Sequence, residues 1–422
     1  MPTRAALVLA CAALLAGAVA PLPAQGPAVA DTLRLSLADV LAQVRAEHPA
    51  WRTGRARIRS AEARAQERSS FPDPRVSVSP QSVTEVRLEL LQPFRWPWET
   101  NALRGVGRRE VAGIKAGVEA GRRDVLLQAA VRFVDGLRSL ADFRLAQEHE
   151  ALARRAAERL IPSDTTDLAA LQAQVALDEA ERATVRARLQ HNLNQSRLAV
   201  ALGQEPATFV IFEGTLAEVA PLTTPEAALQ SALATDPGTL GLEQQAHRAD
   251  EEARLARMRR WPSFELGPAV TLGDRNRLGV AVGINIPVWN RQRAALRAAS
   301  ADKDTATAQM EVRRREVSLQ VTEALTILTR TRTELALLRD GDLVRARRAT
   351  ELAERAAGQG GTYALAWLLA IRAYGEARSA ELELEWQAAQ ARVLLRSLTG
   401  SLIIEADGPE APAPMTGSPW PP

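Results

Sequence analysis

Residues Arg277–Leu296 read RLGVAVGINIPVWNRQRAAL. Leu278, Val280, Val282, Ile284 and Ile286 alternate with Gly279, Ala281, Gly283 and Asn285, the period of two of a β-strand with one apolar face. Pro287 and Trp289 interrupt the alternation, and an alanine-rich, charged segment follows. The face opposite the bulky residues is nearly bare, mostly glycine and alanine. A soluble sheet buries its bulky face in a core, whereas a strand in lipid turns it outward. The nine residues from Leu278 to Ile286 are near the length a tilted strand needs to cross a bilayer.

A second version of the pattern lies upstream. Val86, Leu88 and Leu90 alternate with Arg87 and Glu89, giving one greasy and one wet face, and QPFRWPW at Gln92–Trp98 occupies the place of IPVWN at Ile286–Asn290. Further out, EHPAWRTGRARIRSAEARAQERSSFPDPRVSV from Glu47 parallels TDPGTLGLEQQAHRADEEARLARMRRWPSFEL from Thr235. Pro49 and Pro237 are 188 residues apart, Pro72 and Pro262 are 190 apart, and Gly203 and Gly400, which close LAVALG and LLRSLTG, are 197 apart. Landmarks in one order with slowly growing offsets indicate two diverged copies of one unit. The chain then divides into a signal peptide (1–30), a first repeat (31–203), a linker (204–223), a second repeat (224–400) and a Pro-rich tail (401–422) with the composition of disorder.

Each repeat follows one plan. A helix (36–69 and 224–260) leads to two short strands (75–79 and 85–92; 264–272 and 278–287), a very long helix (99–161 and 293–357) and a return helix (166–202 and 362–398). Glu99–Ile161 has no internal proline and is rich in Ala, Arg, Glu and Leu, so roughly 60 residues of helix would run about 90 Å. Val125, Val131, Val134, Leu137 and Leu140 recur at three- and four-residue spacing, a narrow stripe that the return helix can cover.

Four strands cannot close a barrel, and an open edge in lipid leaves backbone groups unsatisfied at several kcal/mol each. Closure needs other copies, eight strands for a dimer or twelve for a trimer. Side chains fill an eight-stranded barrel, whereas the small inward face here suits an open lumen, which favours the trimer. Trp96, Trp98, Trp261 and Trp289, with Phe71 and Phe94, cluster where strands meet helices, as an aromatic girdle at a membrane interface does. Trp367 and Trp386 read as packing residues.

Arg4 and the apolar run Ala5–Ala20, with Ala28-Val29-Ala30 before Asp31, have the form of a secretory signal. VLAC at 8–11 loosely resembles a lipoprotein site that would lipidate Cys11; the apolar run is short before it and continues beyond it, which favours an ordinary signal residue. Cys11 is the only cysteine, so the mature chain would carry no disulfide. Charge is balanced, 53 basic against 50 acidic residues, giving no reason to expect a nucleic-acid partner. His48, His149, His191 and His247 are scattered, and no metal, cofactor or nucleophile motif is present, so no enzyme and no cofactor are expected.

The signal, the duplicated unit and GINIPVWNRQRAAL together resemble the TolC family of outer-membrane efflux proteins, over about Asp31–Gly400. IPVWNRQRAAL and QPFRWPWETNALRGVGRREVAG are most similar to the CzcC/CusC-type heavy-metal exporters. The resemblance implies a mainly α protein with a small β part: a homotrimer in the outer membrane of a Gram-negative-type bacterium, with a β-barrel of four strands per chain continued by a long periplasmic helical tunnel. It also implies a passive conduit that docks its tips on a periplasmic adaptor and an inner-membrane pump of the RND type. The family's tip pattern maps onto RLIPSDTTDLAALQAQ and RAAGQGGTYALAWLLA. That makes Arg159, Leu160, Ser163, Arg355, Gly358 and Gly361 candidates for adaptor docking, and Asp164 and Asp167 candidates for an acidic entrance gate. The two aspartates serve equally well as helix caps. A drug or polypeptide exporter is the alternative within the class, and a periplasmic structural coiled coil is the alternative outside it.

Overall fold

The computed structural model describes residues 32–402, apart from 83–84, 161–167, 219–223, 274–275, 288–291 and 358–360. In chain order, β1 (Thr32–Leu35) leads to helices α1 (Leu37–Glu47) and α2 (Ala50–Ser69), the hairpin β2 (Arg75–Pro80) and β3 (Val86–Phe94), the long helix α3 (Pro97–Leu160) and the return helix α4 (Leu168–Ala201). After β4 (Phe209–Phe212) and a short 3-10 turn (Leu216–Glu218), the order recurs. It runs through α5 (Pro225–Thr235), α6 (Pro237–Met258), the hairpin β5 (Ser263–Leu272) and β6 (Arg277–Asn285), α7 (Arg293–Leu337), a π-helical segment (Leu338–Leu343), α8 (Val344–Ala356) and α9 (Gly361–Leu398).

The leading helix expected in each repeat is broken in two. His48 and Asp236 precede prolines and are extended, with ψ of 128° and 113°, because proline crowds the residue before it out of the helical region. Each proline then opens a new helix, and Asp236 caps the second break, its Oδ2 accepting from the Thr239 amide at 2.7 Å. Arg313 of α7 donates to the same carboxylate at 3.0 and 3.2 Å.

α3 has 64 residues, about 96 Å of helix at 1.5 Å per residue. It is flanked by α2 and α6 towards the sheet and by α4 and α9 beyond. The second long helix is not continuous: the π turn around Gly341 separates α7 from α8. There Arg339 reaches across to α9, donating to Glu381 at 2.7 Å and also pairing with Glu385. Glu381 is buried and paired with Arg378 as well.

The largest core lies at the waist, where β1 and β4 pair in parallel, Thr32 against Phe209 through Leu35 against Phe212. Val40 and Val44 of α1, Val134 and Phe133 of α3, Leu198 of α4 and Val393 of α9 close around the pair. Gly136 permits this approach: a β-carbon there would overlap the Phe212 ring. The expected stripe on α3 falls here, Val134 and Leu137 buried with Val125, Val131 and Leu140 packed alongside. A second core joins α5 to α7 and α9, and a third, at the far end of the long helices, surrounds Trp367.

Candidate membrane sheet and tunnel tip

The two hairpins form one antiparallel sheet in the order β2-β3-β5-β6. Register places Val78 beside Leu88, Leu88 beside Val270 and Val270 beside Leu278, and likewise Phe94 beside Phe264 and Phe264 beside Ile284. Because side chains alternate along every strand, this alignment gathers the bulky residues of all four strands on one face. Among the described residues nothing covers that face: Val76 is 70% exposed, Leu266 58%, Leu278 87%, Val280 69% and Val282 63%. Ile284 and Ile286 are exposed with them.

The opposite face carries Ser77, Arg87, Glu89, Glu265, Gly267, Ala269, Gly279, Ala281 and Gly283. Four of its charges pair with one another, and Arg277, opposite Thr271, lies on the same face. Arg75 pairs with Glu265 at 3.3 Å and Arg87 with Glu89 at 2.7 Å, and the Ser77 hydroxyl donates to Glu89 at 3.1 Å. A β-carbon on Gly279 would meet nothing within 4 Å, so this face has free space in front of it. Gly267 has a different reason to be glycine. It sits where the two hairpins join, and a β-carbon there would run into the Leu90 backbone. Among the described residues, the edge strands β2 and β6 have no further strand beside them.

Aromatic side chains collect at the helix end of the sheet. Trp96 stacks on Trp98 at 4.7 Å and meets Phe94 and Phe264 edge-on at 6.0 Å, and its Nε1 donates to the Pro262 carbonyl at 3.3 Å. Trp261 is 69% exposed and Trp98 44%. Trp289 lies outside the described residues.

At the other extreme, Arg159 lies over the Trp367 ring at 5.6 Å and pairs with Glu354 at 3.3 Å, tying the end of α3 to α8. Leu160 is buried in the tip core, and Arg355 is exposed in the last turn of α8. Gly361 begins α9. Ser163, Asp164, Asp167 and Gly358 lie outside the described residues. Trp367 is fully buried, and Trp386 donates to Asp135 from the waist.

Among the described residues no cluster of three His, Cys, Asp or Glu side chains suits a metal ion, and no helix is long and apolar enough to cross a membrane. Sequence reading missed the Arg75–Glu265 pair because it spans both repeats, and only the register of β3 on β5 brings the two together.

Residues 228–401 match the family model described as Outer membrane efflux protein. No curated protein matches the chain by sequence. Solved structures match its fold over most of their length. The outer membrane protein VceC of Vibrio cholerae is 16% identical with a TM-score of 0.71, the match covering 86% of this chain and 96% of that one. CusC is 14% identical with a TM-score of 0.73, covering 86% and 91%. The MtrE outer membrane channel of Neisseria gonorrhoeae is 14% identical with a TM-score of 0.69, covering 86% and 88%. The second half of the chain thus carries the sequence pattern of the outer membrane efflux protein family, and the chain as a whole has the fold of these outer membrane proteins.

Proposed function

We propose that the chain is one third of a passive efflux conduit in the outer membrane of a Gram-negative-type bacterium. Three copies close a twelve-stranded barrel, and the long helices continue it as a periplasmic tunnel. The observation that carries this reading is the sheet, apolar and uncovered on one face, polar and lined with small residues on the other, and open at both edges. Pairing β6 of one copy with β2 of the next would satisfy both edges and leave no backbone group unpaired in lipid. Twelve strands spaced about 4.8 Å and tilted about 40° give a barrel about 24 Å across, wide enough to stay open when its inner side chains are small. Exposed apolar stripes on the helices support the same assembly. Leu171, Val175, Val185, Leu189 and Leu193 of α4, and Val312 and Leu319 of α7, are exposed among the described residues.

In this reading the residues around Arg159, Leu160, Ser163, Arg355, Gly358 and Gly361 meet a periplasmic adaptor, and Asp164 and Asp167 stand at the entrance. An inner-membrane pump of the RND type supplies the energy. Heavy-metal cations are the proposed cargo, on the likeness of IPVWNRQRAAL to the CzcC/CusC-type phrase. Two experiments test the two levels. Purified protein in mild detergent is expected to be trimeric by light scattering and to conduct ions in planar bilayers; a folded, non-conducting monomer refutes the channel. Deleting the gene is expected to lower tolerance to divalent metals; lowered tolerance to drugs alone refutes the cargo and leaves the channel standing.

A further inference from the structure

We propose that His191 is an acid-released latch that fastens the β1–β4 pair to the long helices at the waist. The ring stands on α4 between Phe143 of α3, stacked on it at 6.3 Å, and Phe212 of β4 at 5.7 Å. Its two nitrogens have different neighbours: Nδ1 is 3.2 Å from the Ser139 hydroxyl, and Nε2 is 3.2 Å from Nε2 of Gln195.

The partners fix where the proton sits. Gln195 Nε2 also lies 2.9 Å from the Val210 carbonyl oxygen. That oxygen can only accept, so the atom facing it is the amide nitrogen, which has two hydrogens to give and no lone pair to receive one. The nitrogen's second hydrogen points to the ring, and His191 Nε2 must accept it. Nδ1 then carries the ring proton and donates to Ser139, whose hydroxyl donates in turn to the Gly136 carbonyl at 2.8 Å. Every donor meets an acceptor only when the ring is neutral and protonated on Nδ1. This chain of four hydrogen bonds joins β4 to α4 and α3.

A second proton breaks it. An N–H on Nε2 would face the N–H of Gln195. Turning the Gln195 amide over answers the ring but aims its oxygen at the Val210 carbonyl. Ser139 and Gln195 are 3% and 7% exposed, so water has little access to replace the lost partner. The charged groups around the ring do not help. Among the described residues, α3 contributes Arg144, whose charge opposes the imidazolium; α4 contributes Gln195, and β4 only a carbonyl and the Phe212 ring. Burial first, and Arg144 second, hold the His191 pKa below its usual value. The latch is therefore complete above pH about 6.5, where the unfolded histidine is also neutral, and its contribution fades as acid takes the pH down towards the folded value. Its use rests on the channel reading, which places the waist in a compartment open to external acid; its chemistry does not.

The test labels the histidines of the full-length protein in detergent with ¹³C and ¹⁵N and follows them from pH 8 to pH 5. One imidazole is expected in the Nδ1–H form, titrating below the free-histidine value, and absent from His191→Gln. Replacing His48, His149 and His247 in turn should leave it in place. Amides of Val210–Phe212 are expected to exchange about tenfold faster at pH 5 than at pH 7.5, after correction for intrinsic rates, in the wild type but not in His191→Gln. An Nε2–H tautomer for His191, or equal acid loosening in His191→Gln, overturns the proposal. If that variant does not fold, the wild-type tautomer decides alone. Protein that conducts no ions yet shows this tautomer and this response would refute the channel and retain the latch.

Discussion

A cation placed on either face of β6 tests the assignment of outside and inside directly. The strand has nine residues; at about 3.3 Å each and a tilt of about 40° it spans about 23 Å, close to the apolar band of about 25 Å in outer-membrane barrels. Its middle residue is Ala281, so Val282 lies one residue from the midplane. Val282 is 63% exposed on the bulky face. Arginine there should cost about 2 to 4 kcal/mol per site, and about 6 to 12 kcal/mol over three copies. Whole-protein stabilities are typically about 5 to 15 kcal/mol, so Val282→Arg should abolish stable trimer. Gly279→Arg is the control: it lies three residues away on the other face, with nothing within 4 Å of its β-carbon. It should fold normally and reduce only conductance to cations. Folding into lipid vesicles, read by heat-resistant trimer on gels and by denaturant titration, separates the outcomes. Equal loss of trimer in both variants, or in neither, would refute the two-faced sheet.

Four further outcomes follow from the same geometry. Ser should be accepted at Gly283, where a β-carbon would lie 3.3 Å from that of Glu265 and 3.6 Å from its carboxylate, so Gly283→Ser should keep the trimer yield of the wild type. Phe212→Ala should lower stability by about 3 to 5 kcal/mol in a denaturant titration, because the ring fills the space beside Gly136 at the waist. Asp236 is pushed up by burial, but hydrogen bonds from Arg313 and Thr239 outweigh this and hold it below 3.8. Its contribution is thus complete above that pH and fades as the pH falls through the folded value, so Asp236→Asn should lower the thermal midpoint at pH 7 and flatten the stability curve below about pH 4. Asp164→Asn with Asp167→Asn should reduce cation selectivity in single-channel recordings at low salt, with the effect shrinking as salt rises; unchanged selectivity would leave the two aspartates as helix caps.

The strands were legible because each carries its own evidence: the alternation of Leu278–Ile286 is local, and so is the polar turn before it. The long helices were legible from spacing and from the lack of proline. The breaks at Pro49 and Pro237 were present in the sequence as the repeat's own landmarks, and their effect on His48 and Asp236 follows from sterics. The waist was not legible. β1 and β4 have four residues each and lie 177 positions apart, Thr32 against Phe209, too short for a periodic signal and too distant for a local one. The π turn was also hidden, since Leu337 to Val344 fits a helical pattern with Gly341 as its only irregularity. At the tip, Arg159 and Leu160 sit side by side in sequence, but the fold separates them: Leu160 turns into the core and Arg159 lies over Trp367.

The waist and the tip of the long helices are held together by different amounts of apolar surface, and this bears on where the proposed tunnel would yield. At the waist, Phe133, Phe212, Leu198, Leu202 and Val134 are buried, and each such side chain contributes about 1.5 to 3 kcal/mol. At the tip, six of the nine core residues are alanine: Ala156, Ala157, Ala169, Ala173, Ala357 and Ala364. A buried methyl contributes only about 0.8 kcal/mol. Small residues let helices pack closely but bind them weakly, so Trp367 supplies much of the apolar area there, with Arg159 laid across its ring and paired to Glu354. Separating α8 and α9 from α3 and α4 therefore costs least at the end remote from the sheet. In the proposed channel, opening there would leave the waist, and the membrane sheet beyond it, undisturbed.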